Sequence, residues 1–347
     1  MTKQMTIYSR MLPRPLALFI ALFISSVLVA CGAPSTDSGP TSSGATRVVQ
    51  DADGIDVIVP EHPEKVVTFS EPTLDAVLAL GVRPAGTVAG RGLTTVPAYL
   101  QEAAGDVPIV GSVGQPNFEA IGALEPDLIL VDGTSVNNNP DVMEALAQIA
   151  PTVMAGYAGG DWRKNFAIVA DALNRNDEGE KVLQDHDQHV AEVSARLEPF
   201  KDKTFSIVRW QGSGASLILK ELPAGQSLEE LGLKRPANQD KFGGGHSEPV
   251  SNENLGEIDA DYMFFGTLGG SSVANPNAGG NADANAADVS LEDAKKVPGF
   301  EQLNAVRSNH VIPVEGSAWT STGGPLLAQK IVSDVDALLV QNEAMQP

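Results

Sequence analysis

The sequence predicts an α/β protein of two similar lobes with mostly parallel sheets, joined by one long helix, with a cleft between the lobes. Three observations predict it. Short apolar runs alternate with amphipathic stretches, the pattern of parallel strands with crossover helices. The alternation is interrupted once, from Trp162 to Leu197, by helix-permissive sequence. A motif on one side of that interruption returns on the other: "NFEAIGALEPDLILV" (Asn117 to Val131) is echoed by "SNENLGEIDADYMFF" (Ser251 to Phe265). Aligned, they pair Glu119 with Glu253, Ile121 with Leu255, Gly122 with Gly256, Leu124 with Ile258 and Asp127 with Asp261.

At the N-terminus, Lys3, Arg10 and Arg14 precede the apolar run Leu16 to Ala30, which is shorter than the roughly 20 residues a membrane-spanning helix needs. Residues 1–30 read as a signal peptide. The run ends in "LVAC", which resembles the bacterial lipobox, so Cys31 is expected to be lipidated and to become the first mature residue. The Pro/Ser/Gly/Thr-rich sequence after it makes residues 31–50 a lipidated cysteine and flexible tether. Cys31 is the only cysteine, so no disulfide forms within the chain.

Residues 51–161 are expected to form the N-terminal lobe. Its strands are "KVVTFS", "PAGTVAG", "DLILV" and "PTVMAG"; its helices are "EPTLDAVLALG", capped by Gly81, the Asn117 motif and "PDVMEALAQIA". Residues 162–199 form a connecting segment with a break at "RNDEG", a bridging helix from about Glu178 to Arg196 and a stop at Pro199. The strand and helix order then resumes in a C-terminal lobe, residues 200–347, with "TFSIVRW", "SLEELGL", the second motif and "HVIPVEG". "EELGLKRP" there echoes "LALGVRP" in the first lobe. A low-complexity stretch near 269–289 is expected to be a surface loop.

Composition narrows the function. The 347 residues carry 23 Lys and Arg against 44 Asp and Glu, a net charge of -21, which opposes a nucleic-acid partner. Removal of residues 1–30 leaves 20 basic against 44 acidic residues, a net of -24. Catalytic signatures such as G-x-S-x-G, G-x-x-x-x-G-K-[ST] and H-E-x-x-H are missing, so an enzyme is not expected. His186 and His189 are spaced i,i+3 on the bridging helix, a spacing expected to give a solvated face and no metal site. "NADANAADVSLE" (Asn281 to Glu292) loosely matches a calcium loop, but Ala286 replaces the required Gly.

Three ordered segments carry a more specific signal. "HPEKVVTFSEPTLDAVLALGVRPAG", "GQPNFEAIGALEPDLILV" and "AVRSNHVIPVEGSAWTSTGGP" resemble recurring segments of the substrate-binding lipoproteins of ABC importers for iron-siderophores, haem and cobalamin, the class III periplasmic binding proteins. The resemblance covers nearly the whole chain after the tether. It implies two lobes on one connecting helix, small lobe motion and a ligand in the shallow cleft between them. It also implies a monomer without a cofactor of its own, anchored to the outer face of the cytoplasmic membrane, on the periplasmic side in a Gram-negative host. Glu119 and Glu253, matched at "NFE" and "SNE", are then the contacts to arginines of the membrane permease, and the positive end of each helix dipole favours them there.

For the ligand, the resemblance points to Arg209 at the end of "SIVRW" and to Trp319. Position in loops after strands, where open α/β sheets bind, adds Arg91, Gln115, Tyr157, Trp162, Trp210 and His246, with core packing the competing reading of Trp162 and Trp210. A bulky anionic Fe(III)-siderophore suits an arginine donating paired hydrogen bonds beside aromatic faces. Haem, with Tyr157 or His246 as axial ligand, and cobalamin remain alternatives within the same fold, and a surface interaction protein is the alternative outside it.

Overall fold

The computed structural model describes residues 44–91, 93–136, 139–157, 159–245, 247–268 and 282–347. The expected signal peptide, Cys31 and His246 lie outside the described residues, as do residues 269–281 of the low-complexity stretch. Among the described residues no helix is long and apolar enough to cross a membrane.

The first element corrects an expected boundary. Residues 46–50, read as tether, form strand β1 (Thr46–Gln50), paired antiparallel with β2 (Asp56–Pro60), Val48 opposite Ile58. The physical reason is period-two alternation. Val49 and Val59 are buried with Phe166 and Val169, while Val48 and Ile58 face outward.

Six strands follow in the N-terminal lobe: β3 (Val66–Thr68), β4 (Gly86–Ala89), β5 (Ile109–Ser112), β6 (Gln115–Pro116), β7 (Leu128–Val131) and β8 (Thr152–Met154). Their order is β6-β5-β4-β3-β7-β8, parallel throughout except for the edge pair β5 and β6. β3, β4, β7 and β8 are buried at every residue, as strands covered on both faces must be, which accounts for their mainly apolar sequences, broken only by Gly86 and by Thr68, Thr87 and Thr152. The helices of this lobe are α1 (Glu71–Ala79), α2 (Ala98–Ala104), α3 (Phe118–Ala123), α4 (Gly133–Val136) and α5 (Pro140–Ala147).

The connecting segment is two helices. Asp161 caps α6 (Trp162–Ala172) by accepting from the Arg163 and Lys164 N–H groups. Asn174, at φ 55, breaks the chain before α7 (Asn176–Ser194). At 1.5 Å per residue α7 is about 28 Å long, and its apolar face changes partner along its length. Val182 and Leu183 pack into the N-terminal core, whereas Val193, with Leu197 just beyond the helix, enters the C-terminal core.

In the second lobe come β9 (Phe205–Gln211), β10 (Gly214–Leu217), α8 (Pro223–Glu230), β11 (Glu248–Val250), β12 (Tyr262–Gly266), α9 (Ala284–Ala294), α10 (Asn304–Arg307), β13 (Val311–Pro313), α11 (Gly316–Trp319) and α12 (Pro325–Val335). The strand order is β11-β10-β9-β12-β13. This sheet is mixed: β9, β12 and β13 are parallel, but β9 and β10 form an antiparallel hairpin and β11 extends it. The hairpin turns on Gly212, whose φ of 62 suits the two-residue loop.

The internal repeat is structural. Asp127 accepts the Glu64 and Lys65 N–H groups just before β3, and Asp261 accepts the Thr204 N–H just before β9. Gly81 and Gly232, at φ 69 and 76, end α1 and α8 with the same bonds, Val82 N–H to Val77 O and Leu233 N–H to Leu228 O. The second motif departs from its partner, because Asn252–Ile258 is a 3-10 helix kinked at Asn254, not an α-helix. Another departure is α9, which occupies residues expected in the low-complexity loop. Asp283 caps it by accepting from Ala286 N–H at 2.8 Å, so residues 284–292 are a helix and not part of a calcium loop.

The lobes meet where α1 packs on α12. The N-terminus of α12 has no capping side chain of its own. Asp75 of α1 supplies it, accepting the Leu326 and Leu327 N–H groups at 2.8 and 2.9 Å and the Tyr99 hydroxyl at 3.1 Å. Burial pushes the Asp75 carboxyl up to about 6, against the opposing pull of the backbone bonds from Gly324, Leu326 and Leu327. The folded protein therefore holds this proton where the unfolded chain has released it, and stability declines as pH rises from 3.8 to about 6. The unfolding free energy of wild type minus that of Asp75→Asn, measured in urea, is expected to fall by roughly 2–3 kcal/mol between pH 4 and pH 7. A pH-independent difference would contradict this.

A candidate ligand cleft between the lobes

Two overlapping shallow hollows, open to solvent, lie between the lobes. The N-terminal wall comes from loops at the carboxyl ends of parallel strands: Pro72 after β3, Asp132 after β7, and Gly156 and Tyr157 after β8, with Trp162 and Asn165 of α6. Glu221, between β10 and α8, Pro223 at the start of α8, and Thr322 to Gly324, before α12, form the opposite wall. Carboxyl ends of strands are the positions where side chains of successive parallel strands converge.

Arg209 and Arg91 stand as a pair of like charges. Arg209, near the end of β9, donates from Nη1 to Thr320 O at 3.3 Å and from Nη2 to Ser247 Oγ. Its Nε is buried without an acceptor among the described residues. Among the described residues no carboxylate pairs with it. Burial, and then repulsion from Arg91, lowers its basicity. Arg91 belongs to the loop after β4, where its backbone N–H donates to the buried Glu71. Two guanidinium groups, one from each lobe, thus feel each other's field, an arrangement that an anion between them relieves.

The expected aromatic residues divide. Trp162 is buried in the cleft wall with Nε1 unpartnered, edge-on to His186 at 5.2 Å and beneath the Arg163 guanidinium. Tyr157 is half-exposed in the same wall, its hydroxyl donating to Asp53 at 2.8 Å. That bond, foremost among the causes, raises the phenol's pKa. Trp210 and Trp319 are closed off from the cleft. Trp210 packs on Phe265 and Phe300 and donates to Gly212 O; Trp319 stacks on Phe264 at 4.2 Å and donates to Asp334 at 2.8 Å. Both face inward because aromatic partners from β12 fill the lobe interior beside them. Gln115 is also away from the cleft, exposed on edge strand β6.

Sequence reasoning missed Asp132, Asn165 and Glu221. Asp132 and Glu221 each follow a buried apolar run ("LILV", "LILK"), and a polar residue at the end of such a run was the available signal. The glutamates assigned to docking are both exposed in the first turns of short helices, Glu119 in α3 and Glu253 in the 3-10 helix.

His186 corrects the expectation of a solvated face. It is fully buried, with Nε2 2.9 Å from Glu230. Glu230 also accepts from Arg163, which bonds Asp187 as well, so α6, α7 and α8 share one ionic cluster. Burial favours protonation of Glu230, but His186 and Arg163 outweigh it and hold the carboxyl below its usual range. Among the described residues no group of His, Cys, Asp and Glu is placed to hold a metal ion. Glu230→Gln is expected to cost about 1–3 kcal/mol of unfolding free energy, since it removes the carboxylate that the half-buried Arg163 and the buried His186 share. A chemical-denaturation midpoint equal to wild type would show the cluster to be energetically idle.

Comparison with known proteins agrees with this architecture. The profile of the Periplasmic binding protein family matches residues 66–317, and the chain belongs to that family. It is 29% identical over 332 residues to the probable siderophore-binding lipoprotein YfiY of Bacillus subtilis, covering 94% of this chain and 98% of the relative. With the petrobactin-binding protein YclQ of the same organism it shares 28% over 316 residues, 89% of this chain and 93% of the relative. The structure of SirA from Staphylococcus aureus, complexed with staphyloferrin B, superposes with a TM-score of 0.69 at 24% identity, over 84% of this chain and 98% of that one. That likeness shows the same two-lobed fold.

Proposed function

We propose that this protein captures a ferric siderophore outside the cytoplasmic membrane and delivers it to the permease of an ABC importer for iron uptake. The observation that carries the reading is the Arg91 and Arg209 pair, one guanidinium from each lobe, with Arg209 unpaired by any described carboxylate. Relatives named for binding siderophores along almost the whole chain support it. The mature charge of -24, 20 basic against 44 acidic residues, does not oppose an anionic cargo, because exposed charges are screened over about 8 Å at physiological salt. Haem is less well served: the Tyr157 hydroxyl, one expected axial ligand, is engaged by Asp53. The role is one of binding, not catalysis. Residues 1–30 are removed, Cys31 carries the lipid anchor, and the mature protein works as a monomer on the outer face of the membrane. Glu119 and Glu253 meet the permease, each at the tip of a lobe.

Intrinsic tryptophan fluorescence is expected to be quenched by ferric siderophores and not by apo-siderophore or iron salts, with Trp162 in the cleft wall as reporter. Flat titrations with ferric siderophores, haem and cobalamin would sink the reading. Arg209→Ala is expected to weaken binding by about 1.5–3 kcal/mol, the worth of a hydrogen bond to a charged group; an unaltered dissociation constant would remove Arg209 from the site. Glu119→Ala with Glu253→Ala is expected to lower uptake in cells while ligand affinity is retained, and a wild-type uptake rate would refute the docking role.

A further inference from the structure

Seven large hydrophobic residues are exposed among the described residues, and two of them are aromatic: Tyr157 at 38% and Phe242 at 69%. Isolated exposed apolar side chains are ordinary. These two are not isolated from each other, because they border the same carboxylate from opposite lobes. Tyr157 and Glu221 line one hollow. Phe242 lies between two anchors beside Glu221: Lys220 N–H donates to Lys241 O at 3.3 Å, and Gly243 N–H donates to Glu221 Oε2 at 2.6 Å.

The Tyr157 ring is held by contacts of its own, and Phe242 by the anchored backbone on either side of it. The Tyr157 hydroxyl is fixed to Asp53, and its ring lies so close over Gly133 that a Cβ there would stand 2.2 Å from a ring carbon. One ring face is therefore covered, and the side chain remains partly open to solvent. On the other lobe, a Cβ at Gly243 would stand 2.5 Å from Glu221 Oε1, so the backbone next to Phe242 runs close against that carboxylate.

We propose that Tyr157 and Phe242 form an aromatic clamp, one ring on each lip of the cleft, which takes the flat arene of an aryl-bearing ferric chelate. The inference rests on the ferric-siderophore reading and narrows it. An aromatic face gains by stacking on an arene and gains little from a purely aliphatic carboxylate chelate. Asp53, through the Tyr157 hydroxyl, is a positioning residue of the clamp.

The test compares two ferric chelates on the purified mature protein by tryptophan quenching: ferric enterobactin, a tris-catecholate, and ferric citrate, which has no arene. Phe242→Ala and Tyr157→Ala are each expected to lower affinity for the catecholate by about 3–10-fold more than for citrate, the range of an aromatic pair. Phe242→Trp is expected to restore the ratio. Equal effects on both chelates, wild-type ratios in both alanine variants, or a wild-type protein that binds ferric citrate but no aryl chelate would each overturn the clamp and leave the ferric-siderophore reading intact. A wild-type protein that binds no ferric chelate overturns that reading, and the clamp with it.

Discussion

The cleft depends on a carboxylate buried between helices. Asp75 lies on α1, directly after the first strand of the N-terminal lobe, yet it caps α12, the helix that packs on α7 and α8. The first N–H groups of any helix need acceptors, and here the acceptor belongs to the other lobe. Burial alone would drive Asp75 to its neutral form; the bonds from α12 oppose this. Alongside α7, which places one end in each core, this contact sets how the strand-end loops face each other. The cluster of Arg163, His186 and Glu230 ties α6, α7 and α8 together through side chains.

Local charge differs from the global balance within that geometry. The chain is strongly acidic, but Arg209, buried near the end of β9, feels the like charge of Arg91 from the other lobe. Proximity of like charges is unfavourable, and it is burial that leaves this one weakly screened. Asp132 and Glu221 line the hollow between the lobes.

Much of the fold was legible because local rules and tertiary packing agree. Short, mainly apolar runs became β3, β7 and β8, and Gly81 and Gly232 ended their helices as glycines in positive φ do. The Asp127 and Asp261 pair, found by aligning the motif with its echo, holds the start of the first strand in each lobe. What was not legible had weak local signals. The β1 strand follows a Ser/Gly/Thr-rich stretch, and only burial of Val49 and Val59 against α6 distinguishes it from tether. The antiparallel hairpin β9 and β10 turns on two residues, and nothing in its apolar pattern separates it from one longer strand.

The sequence by itself determined two α/β lobes, a repeated strand and helix unit, the long connecting helix and the membership of a binding-protein family. These are properties of period, turn chemistry and ordered segments, which survive without knowledge of what packs where. Tertiary structure alone decided which side chains reach the cleft. Trp162 and Trp319 are equally buried tryptophans beside helices, but Trp162 borders the space between the lobes and Trp319 is stacked on Phe264 inside one of them. Direction, unlike periodicity, is set by partners distant in sequence: Asp53 orients Tyr157, Asp75 fixes α12, and Arg91 meets Arg209 only when the two lobes are assembled.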